Sequence, residues 1–285
     1  MKRAAQISFS IFVSLFLFQV AWSQVGPSWL IQGNLQDASQ IRDFLEIPNT
    51  NIIIAAGRKW SDQAALWKST DNGNTWNKKY EKWAASNGAV QLEYAEAKNV
   101  IFAGFGDAVW GQLTWVSIVY STDQGETWIE ITHPAMLGDH AGANSILLLN
   151  NKLYIAYREN HSENGNSWGI YSAMLFRIDV SDVNPSNWVW EFLMQYPELD
   201  FITRLADKDG KLYVFGKDKN SDAIRIFTYD PQTLDRMASR VGTVEEVRLQ
   251  VEKYQAQLAQ QKAENQSSET NAPTPDVPGG KALKQ

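Results

Sequence analysis

Three tryptophans recur in loops that also carry charged side chains, a combination that suits sugar binding. Trp60 lies in GRKWSD, Trp110 lies in GDAVWGQ, and Trp168 lies in a loop that follows Arg158 and Glu159. An indole offers a flat apolar surface to the C–H face of a sugar, and carboxylate and guanidinium groups beside it can bond to hydroxyls. These residue types favour a carbohydrate ligand. The alternative is that the rings cap the packing between structural elements.

Other chemistries find little support in the residue types. The chain has three histidines, of which only His133 and His140 are near each other, and this spacing forms no zinc motif. Neither a glycine-rich phosphate loop nor a nucleophile elbow occurs. We therefore expect no metal and no organic cofactor. The formal net charge of −6, without a basic stripe, argues against nucleic acid and anionic membranes as partners.

The N-terminal residues have the features of a secretory signal peptide. A basic MKR start precedes an uncharged apolar run at residues 7–20, and AWS at residues 21–23 is a small-x-small cleavage site. The apolar run is short for a membrane span, which needs about 20 residues. The chain has no cysteine for lipid attachment or disulfides. We expect residues 1–23 to be removed and the product to be secreted or periplasmic, without a stable membrane span.

The elements that must position the loops are repeated. STDNGNTW at residues 69–76 and STDQGETW at residues 121–128 are nearly identical, and degenerate copies around Asp182 and Asp230 extend a period of about 50 residues. Each copy follows a strand, a turn rich in Asn, Asp or Gly, and a second strand, as in VQLEYAEAKNVIFAGFG. Four strands per repeat are typical of a propeller blade. We expect this domain to span residues 24–241, with GPSWLIQGNL at residues 26–35 completing the last blade.

The S-x-D-x-G-x-T-W pattern is similar to the Asp-box, or bacterial neuraminidase repeat, of sialidases and other secreted propellers. The resemblance implies an all-β fold, a β-propeller of about four Asp-box blades. Three alternatives stay open for its ring: closure through the N-terminal strand, an incomplete ring, or completion by oligomerisation. In that family the box connects the third and fourth strands, on the face away from the ligand. The resemblance therefore assigns structural roles to Asp71, Gly73, Trp76, Asp123, Gly125 and Trp128.

The sialidase resemblance also implies a catalytic set: three arginines that clamp a carboxylate, an aspartate acid/base, and a tyrosine nucleophile assisted by glutamate. Arg42 falls where the family has its first arginine, while Arg58 and Asp62 resemble the second arginine region and the acid/base. Arg204 could join Arg42 near the axis. No motif identifies the tyrosine and glutamate, so the catalytic assignment is restricted to Arg42, Arg58 and Asp62. The predicted ligand-binding residues are Trp60, Trp110, Arg158, Glu159, Trp168 and Arg204.

The composition changes after Arg240. Residues 242–264 are rich in helix formers and read as an amphipathic helix, whereas residues 265–285 read as a disordered tail. Apolar residues at a/d spacing favour a short coiled coil, which would make the protein a homo-oligomer through this helix. The alternatives are packing of the helix against the propeller and a solvated single helix.

The combined interpretation is an exported propeller followed by a C-terminal α-helix. The predicted function is binding of a carbohydrate or a protein partner through the loops, without a complete catalytic set. The alternatives are an exo-sialidase or other glycoside hydrolase, and a structural or assembly module.

Overall fold

The computed structural model describes residues 35, 37–60, 63–82, 89–106, 118–131, 141–159, 173–240, 246, 249–257 and 259–261. These residues form four antiparallel sheets, and each sheet corresponds to one sequence repeat. The first strands of successive sheets lie beside one another, so the sheets are arranged as the blades of a propeller. The predicted all-β propeller of four blades is therefore confirmed. Over the described ranges, the blades do not form a closed ring.

Blades 1 and 2 have four strands each, ordered from the inner strand outward as they follow in sequence. Blade 1 consists of β1 (Ala38–Glu46), β2 (Ile53–Lys59), β3 (Ala64–Ser69) and β4 (Asn77–Lys82). Blade 2 consists of β5 (Ala89–Ala95), β6 (Val100–Phe105), β7 (Ile118–Ser121) and β8 (Ile129–Glu130), with a 3-10 turn at Glu96–Lys98. This arrangement matches the four strands per repeat that the sequence predicts.

Blades 3 and 4 depart from that pattern. Blade 3 consists of β9 (Ala141–Leu149), β10 (Lys152–Glu159), β11 (Met174–Asp179) and β12 (Trp190–Gln195), with a 3-10 turn at Pro185–Asn187. Blade 4 consists of β13 (Leu199–Lys208), β14 (Lys211–Asp218) and β15 (Ile224–Tyr229). The short β16 (Ser239–Arg240) adds a fifth strand to blade 3, beside β12. Residues 26–34, predicted to complete blade 4, lie outside the described ranges.

The chain leaves blade 4 through a helix because Asp230 acts as a helix cap. Its side chain accepts a 2.8 Å hydrogen bond from the backbone N–H of Gln232, and Pro231 opens α1 (Pro231–Met237). The buried Arg177 of β11 binds Asp235 of α1 at 2.6 Å and Glu191 of β12 at 2.5 Å. The helix is thus held against blade 3, where the chain then adds β16.

The C-terminal helix also packs on the propeller. Residues 249–257 and 259–261 are helical, Val251 is fully buried in the core shared by blades 2 and 3, and Gln255 donates to Gln195 of β12 at 2.8 Å. Packing against the propeller was one of the alternatives for this segment, and homo-oligomerisation through the helix stays a prediction. No helix in the described part of the chain is long and apolar enough to span a membrane.

The core consists mainly of three clusters between successive blades. We call the face of a blade toward the preceding blade its leading face, and the face toward the following blade its trailing face. Apolar side chains from a trailing face and the next leading face interdigitate between blades 1 and 2, between blades 2 and 3, and between blades 3 and 4. This burial is the main favourable term that holds neighbouring blades together.

Candidate functional site

The strand order separates the two ends of each blade. Since the strands are antiparallel, the turns from first to second strand and from third to fourth strand lie at one end, which carries the Asp boxes. We call this end the box face. The connections from second to third strand, and from one blade to the next, lie at the opposite end, which we call the loop face. The predicted ligand residues of the β2–β3 connection are therefore on the face away from the boxes.

The first Asp box is a self-contained hydrogen-bonded turn. Asp71 accepts hydrogen bonds from the Thr75 N–H at 2.8 Å and the Thr75 hydroxyl at 2.7 Å, and Ser69 Oγ accepts one from the Gly73 N–H at 2.8 Å. Gly73 has φ +87°, a conformation that side chains oppose. The hydrogen bonds from Thr75, then from Ser69, hold the pKa of Asp71 below its ordinary value.

The second box repeats this geometry around Asp123. Its carboxylate accepts the Thr127 N–H at 2.9 Å and the Thr127 hydroxyl at 2.6 Å, and Gly125 has φ +81°. Although partial burial acts to raise it, these bonds and that from Ser121 lower the pKa of Asp123 to about 2. Both carboxylates accept hydrogen bonds from their own turns, so each Asp box stabilises a hairpin.

Box tryptophans pack on leading faces. Trp128 lies against the core between blades 1 and 2. In blade 3, Trp188 takes the same place: its ring lies 5.4 Å from that of Phe102 and 5.0 Å from that of Tyr120, both in blade 2. Trp76 of blade 1 contacts Phe44 of its own blade at 6.1 Å. The box residues therefore stabilise blades and their contacts.

Trp60 is the predicted ligand residue that the structure shows most clearly. It follows β2 at the loop face, and 79% of its surface is exposed. Its backbone N–H donates to the carbonyl of Asp37 at 3.3 Å, which ties this turn to the start of β1. The ring is thus presented to solvent on an anchored backbone. Asp62, Trp110 and Trp168, predicted for the same face, fall in parts of the chain that the structure does not describe.

Basic residues occupy equivalent positions at the loop face. Alignment of the blades by strand register places Arg58, Arg158 and Lys217 at the same level, near the ends of β2, β10 and β14. Arg58 is half-buried, and Lys217 pairs with Asp222 at 3.3 Å. The structure does not describe the side chains of Arg158 and its neighbour Glu159. The repeat therefore brings three cations, far apart in sequence, to one end of the propeller.

The inner strands carry a second repeated feature, which sequence reasoning missed. Each inner strand has a bulge, and the residue after it pairs with the second strand in the same register in all four blades. The residues at this position are Asp43, Gln91, Ser145 and Arg204. They share polarity but no chemical type, so no motif marks them; only alignment of the four repeats by their turns could have found them.

Three of these residues connect their blade to the next one. Each side chain accepts a hydrogen bond from a backbone N–H on the following inner strand, and we call the series the axial relay. The bonds are Leu92 N–H to Asp43 at 2.8 Å, Ile146 N–H to Gln91 at 3.2 Å, and Leu205 N–H to Ser145 at 3.0 Å. The relay ends at Arg204, because a guanidinium cannot accept a hydrogen bond.

Glu93 adds a titratable group to this region. It accepts a hydrogen bond from the Gln91 amide at 3.1 Å, and the Leu148 N–H of β9 also bonds to it. Burial raises the pKa of Glu93 to about 7, with a smaller contribution from the negative Asp43, against those hydrogen bonds and the positive Arg204. The axis between the inner strands thus contains a carboxyl group that changes charge near neutral pH.

The predicted catalytic residues Arg42 and Arg58 and the predicted ligand-binding residue Arg204 lie on different strands. Arg42 is exposed in the bulge of β1, Arg58 lies near the loop-face end of β2, and Arg204 is exposed on β13. Arg42 and Arg204 thus lie on the inner strands of blades 1 and 4. Within the described ranges, no three His, Asp or Glu side chains could hold a metal ion.

Comparisons with known proteins show that this chain is similar to them in fold only. No family model matches the sequence, and no curated protein matches it. An α-L-arabinofuranosidase, Arb93A from Fusarium graminearum, is 15% identical with a TM-score of 0.41 over 68% of this chain and 64% of its own. An α-L-arabinanase from Penicillium chrysogenum is 14% identical with a TM-score of 0.40, over 73% and 67% respectively.

The NanB sialidase from Streptococcus pneumoniae is 20% identical with a TM-score of 0.36, over 64% of this chain and 28% of its own. This chain thus spans less than a third of that sialidase and about two thirds of the two arabinan-related enzymes. Similarity at this level does not transfer an activity or a binding residue.

Proposed function

We propose that this protein binds a carbohydrate through its loop face. The observation that carries the proposal is the exposure of Trp60, 79% of whose surface is accessible at the end of β2. The Trp60 ring is exposed to solvent while its backbone is hydrogen-bonded to Asp37, so the ring does not contribute to the packing between blades. Such rings mark contact surfaces, and an indole suits the apolar face of a sugar.

The basic residues at equivalent register positions of three blades support a ligand rich in hydroxyl or carboxylate oxygens. Arg58 precedes Trp60 by two residues, and Arg158 and Lys217 occupy the equivalent level of two other blades. These cations lie on one face of a protein with a net charge of −6. Guanidinium groups donate several hydrogen bonds in fixed directions, which suits recognition of vicinal oxygens. Export through the N-terminal signal, expected from the sequence, would give the protein access to extracellular glycans.

The experiment is a glycan array with the exported chain, followed by isothermal titration calorimetry of the best ligand, a readout that does not depend on the Trp60 ring. Trp60→Ala should abolish or strongly weaken binding without changing the melting temperature, because the ring contributes little to the core. Ile129→Ala is the matched control, since Ile129 is also an exposed apolar strand residue, half accessible, but follows the second Asp box at the opposite face.

Two outcomes would contradict the proposal. If Trp60→Ala destabilised the protein like a core truncation, about 3 to 5 kcal/mol, the ring would be a packing element. If no glycan bound while a pull-down captured a protein partner in a Trp60-dependent manner, the loop face would be a protein interface.

A further inference from the structure

Blade 4 exposes an apolar position that is buried in every other blade. The third strands pair with the second strands in equivalent register, which aligns Leu66, Ile118, Leu175 and Ile226 on trailing faces. The first three are 0% exposed, because the next blade covers them, whereas Ile226 is 60% exposed. Among the described residues, no following blade covers the trailing face of blade 4.

Blade 1 shows the complementary feature on its leading face. On each inner strand, one residue directly follows the residue of the axial relay. These residues are Phe44 in blade 1, Leu92 in blade 2, Ile146 in blade 3 and Leu205 in blade 4. The latter three are 6%, 0% and 1% exposed, since the preceding blade covers them, but Phe44 is 55% exposed. Ala55, Ala65 and Trp67, on the second and third strands of that face, are already buried, so the inner strand carries the open apolar part.

Ile226 and Phe44 occupy the two positions that contact each other where one blade packs on the next. In each existing interface, the trailing-face residue and the leading-face residue belong to the same core cluster: Leu66 with Leu92, Ile118 with Ile146, and Leu175 with Leu205. Ile226 and Phe44 are the corresponding pair for a fourth interface. We propose that two copies of this chain associate head to tail, with the trailing face of blade 4 in one copy packed against the leading face of blade 1 in the other.

The axial relay gives charge complementarity to this contact. A blade that follows blade 4 would place its inner strand beside Arg204, as Leu92 lies beside Asp43. At the start of blade 1, the Phe44 N–H is already bonded to Oδ1 of Asp43 at 2.9 Å. No acceptor is needed there, and the Asp43 carboxylate offers a charge partner to the cationic Arg204 of a second copy. The two ends of the axial relay thus carry opposite charges, negative at Asp43 and positive at Arg204.

The size of the faces favours a closed pair of copies. The trailing face of blade 4, three strands spaced by about 4.8 Å with six residues at about 3.3 Å each, measures roughly 300 Å². This is the upper limit of one contact, because the second and third strands of blade 1 are already buried on its leading face. A stable interface buries about 800 Å² per partner, so one contact is small. In a pair where each copy's blade 4 meets the other's blade 1, two such contacts form. We expect a weak dimer whose population rises with concentration.

The experiment is sedimentation equilibrium on the full chain and on charge-swap variants. Wild-type protein should dimerise between about 1 and 200 µM, the weak end expected for a small interface. Phe44→Glu and Ile226→Lys should each weaken self-association by about tenfold or more, since each sets a charge against an apolar side chain. A mixture of the two variants should dimerise again, because the new carboxylate of one variant meets the new ammonium group of the other while their unchanged ends also match. Circular dichroism verifies that each variant is folded.

Ile129→Lys is the matched control, since it adds the same charge at an exposed strand residue away from both faces, and it should dimerise like wild type. A wild-type chain that stays monomeric over the whole concentration range would overturn the proposal. So would two single variants that dimerise normally, or a mixture that stays monomeric. Dimerisation lost only on removal of the C-terminal helix would assign the contact to that helix. These outcomes are independent of glycan binding.

Discussion

Asp43 on the inner strand of blade 1 accepts a 2.8 Å hydrogen bond from the backbone N–H of Leu92 on the inner strand of blade 2. The same relationship recurs at the next two blade junctions, with Gln91 and Ser145 as acceptors. Buried backbone groups that lack a partner are costly, so each of these bonds satisfies a group that the bulged strand leaves open. The relay therefore links the blades at their inner strands, beside the apolar clusters that hold their faces.

We expect Ser145→Ala to lower the free energy of unfolding by about 1 to 3 kcal/mol, the cost of a buried donor that loses its acceptor. The buried hydroxyl donates to Gln91 at 2.7 Å and accepts from the Leu205 N–H at 3.0 Å. Its loss leaves the Leu205 N–H without this acceptor, whereas Gln91 keeps its bond from the Ile146 N–H. Urea unfolding followed by tryptophan fluorescence measures the change. Ser39→Ala removes an exposed hydroxyl bond to the Arg58 carbonyl and should cost under about 0.5 kcal/mol. Equal effects of the two variants would show that the relay does not contribute specifically.

Asp123→Ala should lower the melting temperature, because the second box loses the acceptor of the Thr127 N–H and hydroxyl. The carboxylate is solvent-accessible, so we expect a cost of about 1 to 2 kcal/mol, near the net worth of the lost hydrogen bonds. Differential scanning calorimetry measures it. Asp222→Ala, at a fully exposed carboxylate paired with Lys217, is the control and should be nearly neutral. Ligand binding lost at unchanged stability would contradict a structural role for the box.

Glu93 should make the protein less stable as the pH rises through the range from about 4.5 to about 7. Its pKa is raised in the folded state to about 7, above the ordinary value of 4.5. The folded state therefore holds a proton in this window that the unfolded state has released, and stability is highest on the acidic side. The shift corresponds to at most about 3 kcal/mol. Glu93→Gln keeps an acceptor for the Leu148 N–H without ionising.

The measurement for Glu93 is urea unfolding of wild type and Glu93→Gln at several pH values between about 5 and 8, the window in which a raised carboxyl pKa acts. The variant should lose the decline in stability with pH and be the more stable protein at the alkaline end. Asp123, with its pKa lowered to about 2, acts with the opposite sign, since its contribution is lost below about pH 4. Identical slopes for the two proteins between pH 5 and 8 would contradict the prediction.

We expect the purified protein not to release sialic acid from a fluorogenic sialoside above background. Arg42 and Arg58 lie on adjacent strands of one blade, and the sequence offers no identifiable tyrosine and glutamate pair. The assay compares wild type with Arg42→Ala and Asp62→Asn. Turnover by the wild type that both variants abolish would instead establish a sialidase, and would make the loop face an active site.

The sequence by itself determined the repeated blades and the Asp boxes that stabilise their hairpins. The Asp box could be recognised because its bonds join residues at most four positions apart, as from Thr75 to Asp71, so that the chemistry lies within one octapeptide. The period of the boxes then predicted four repeated sheets. After Asp230 the structure has a helix that starts at Pro231, in the place of a fourth strand.

Only the tertiary structure decided which residues connect the blades and where the array ends. The relay bonds join residues 49 to 60 positions apart, and the acceptors are a carboxylate, an amide and a hydroxyl, which no local pattern links. Phe44 and Ile226 are as apolar as their buried equivalents, and they differ in that no blade formed by the described residues covers them. Residue type records a preference for burial, but burial itself depends on the neighbour that the fold supplies or omits.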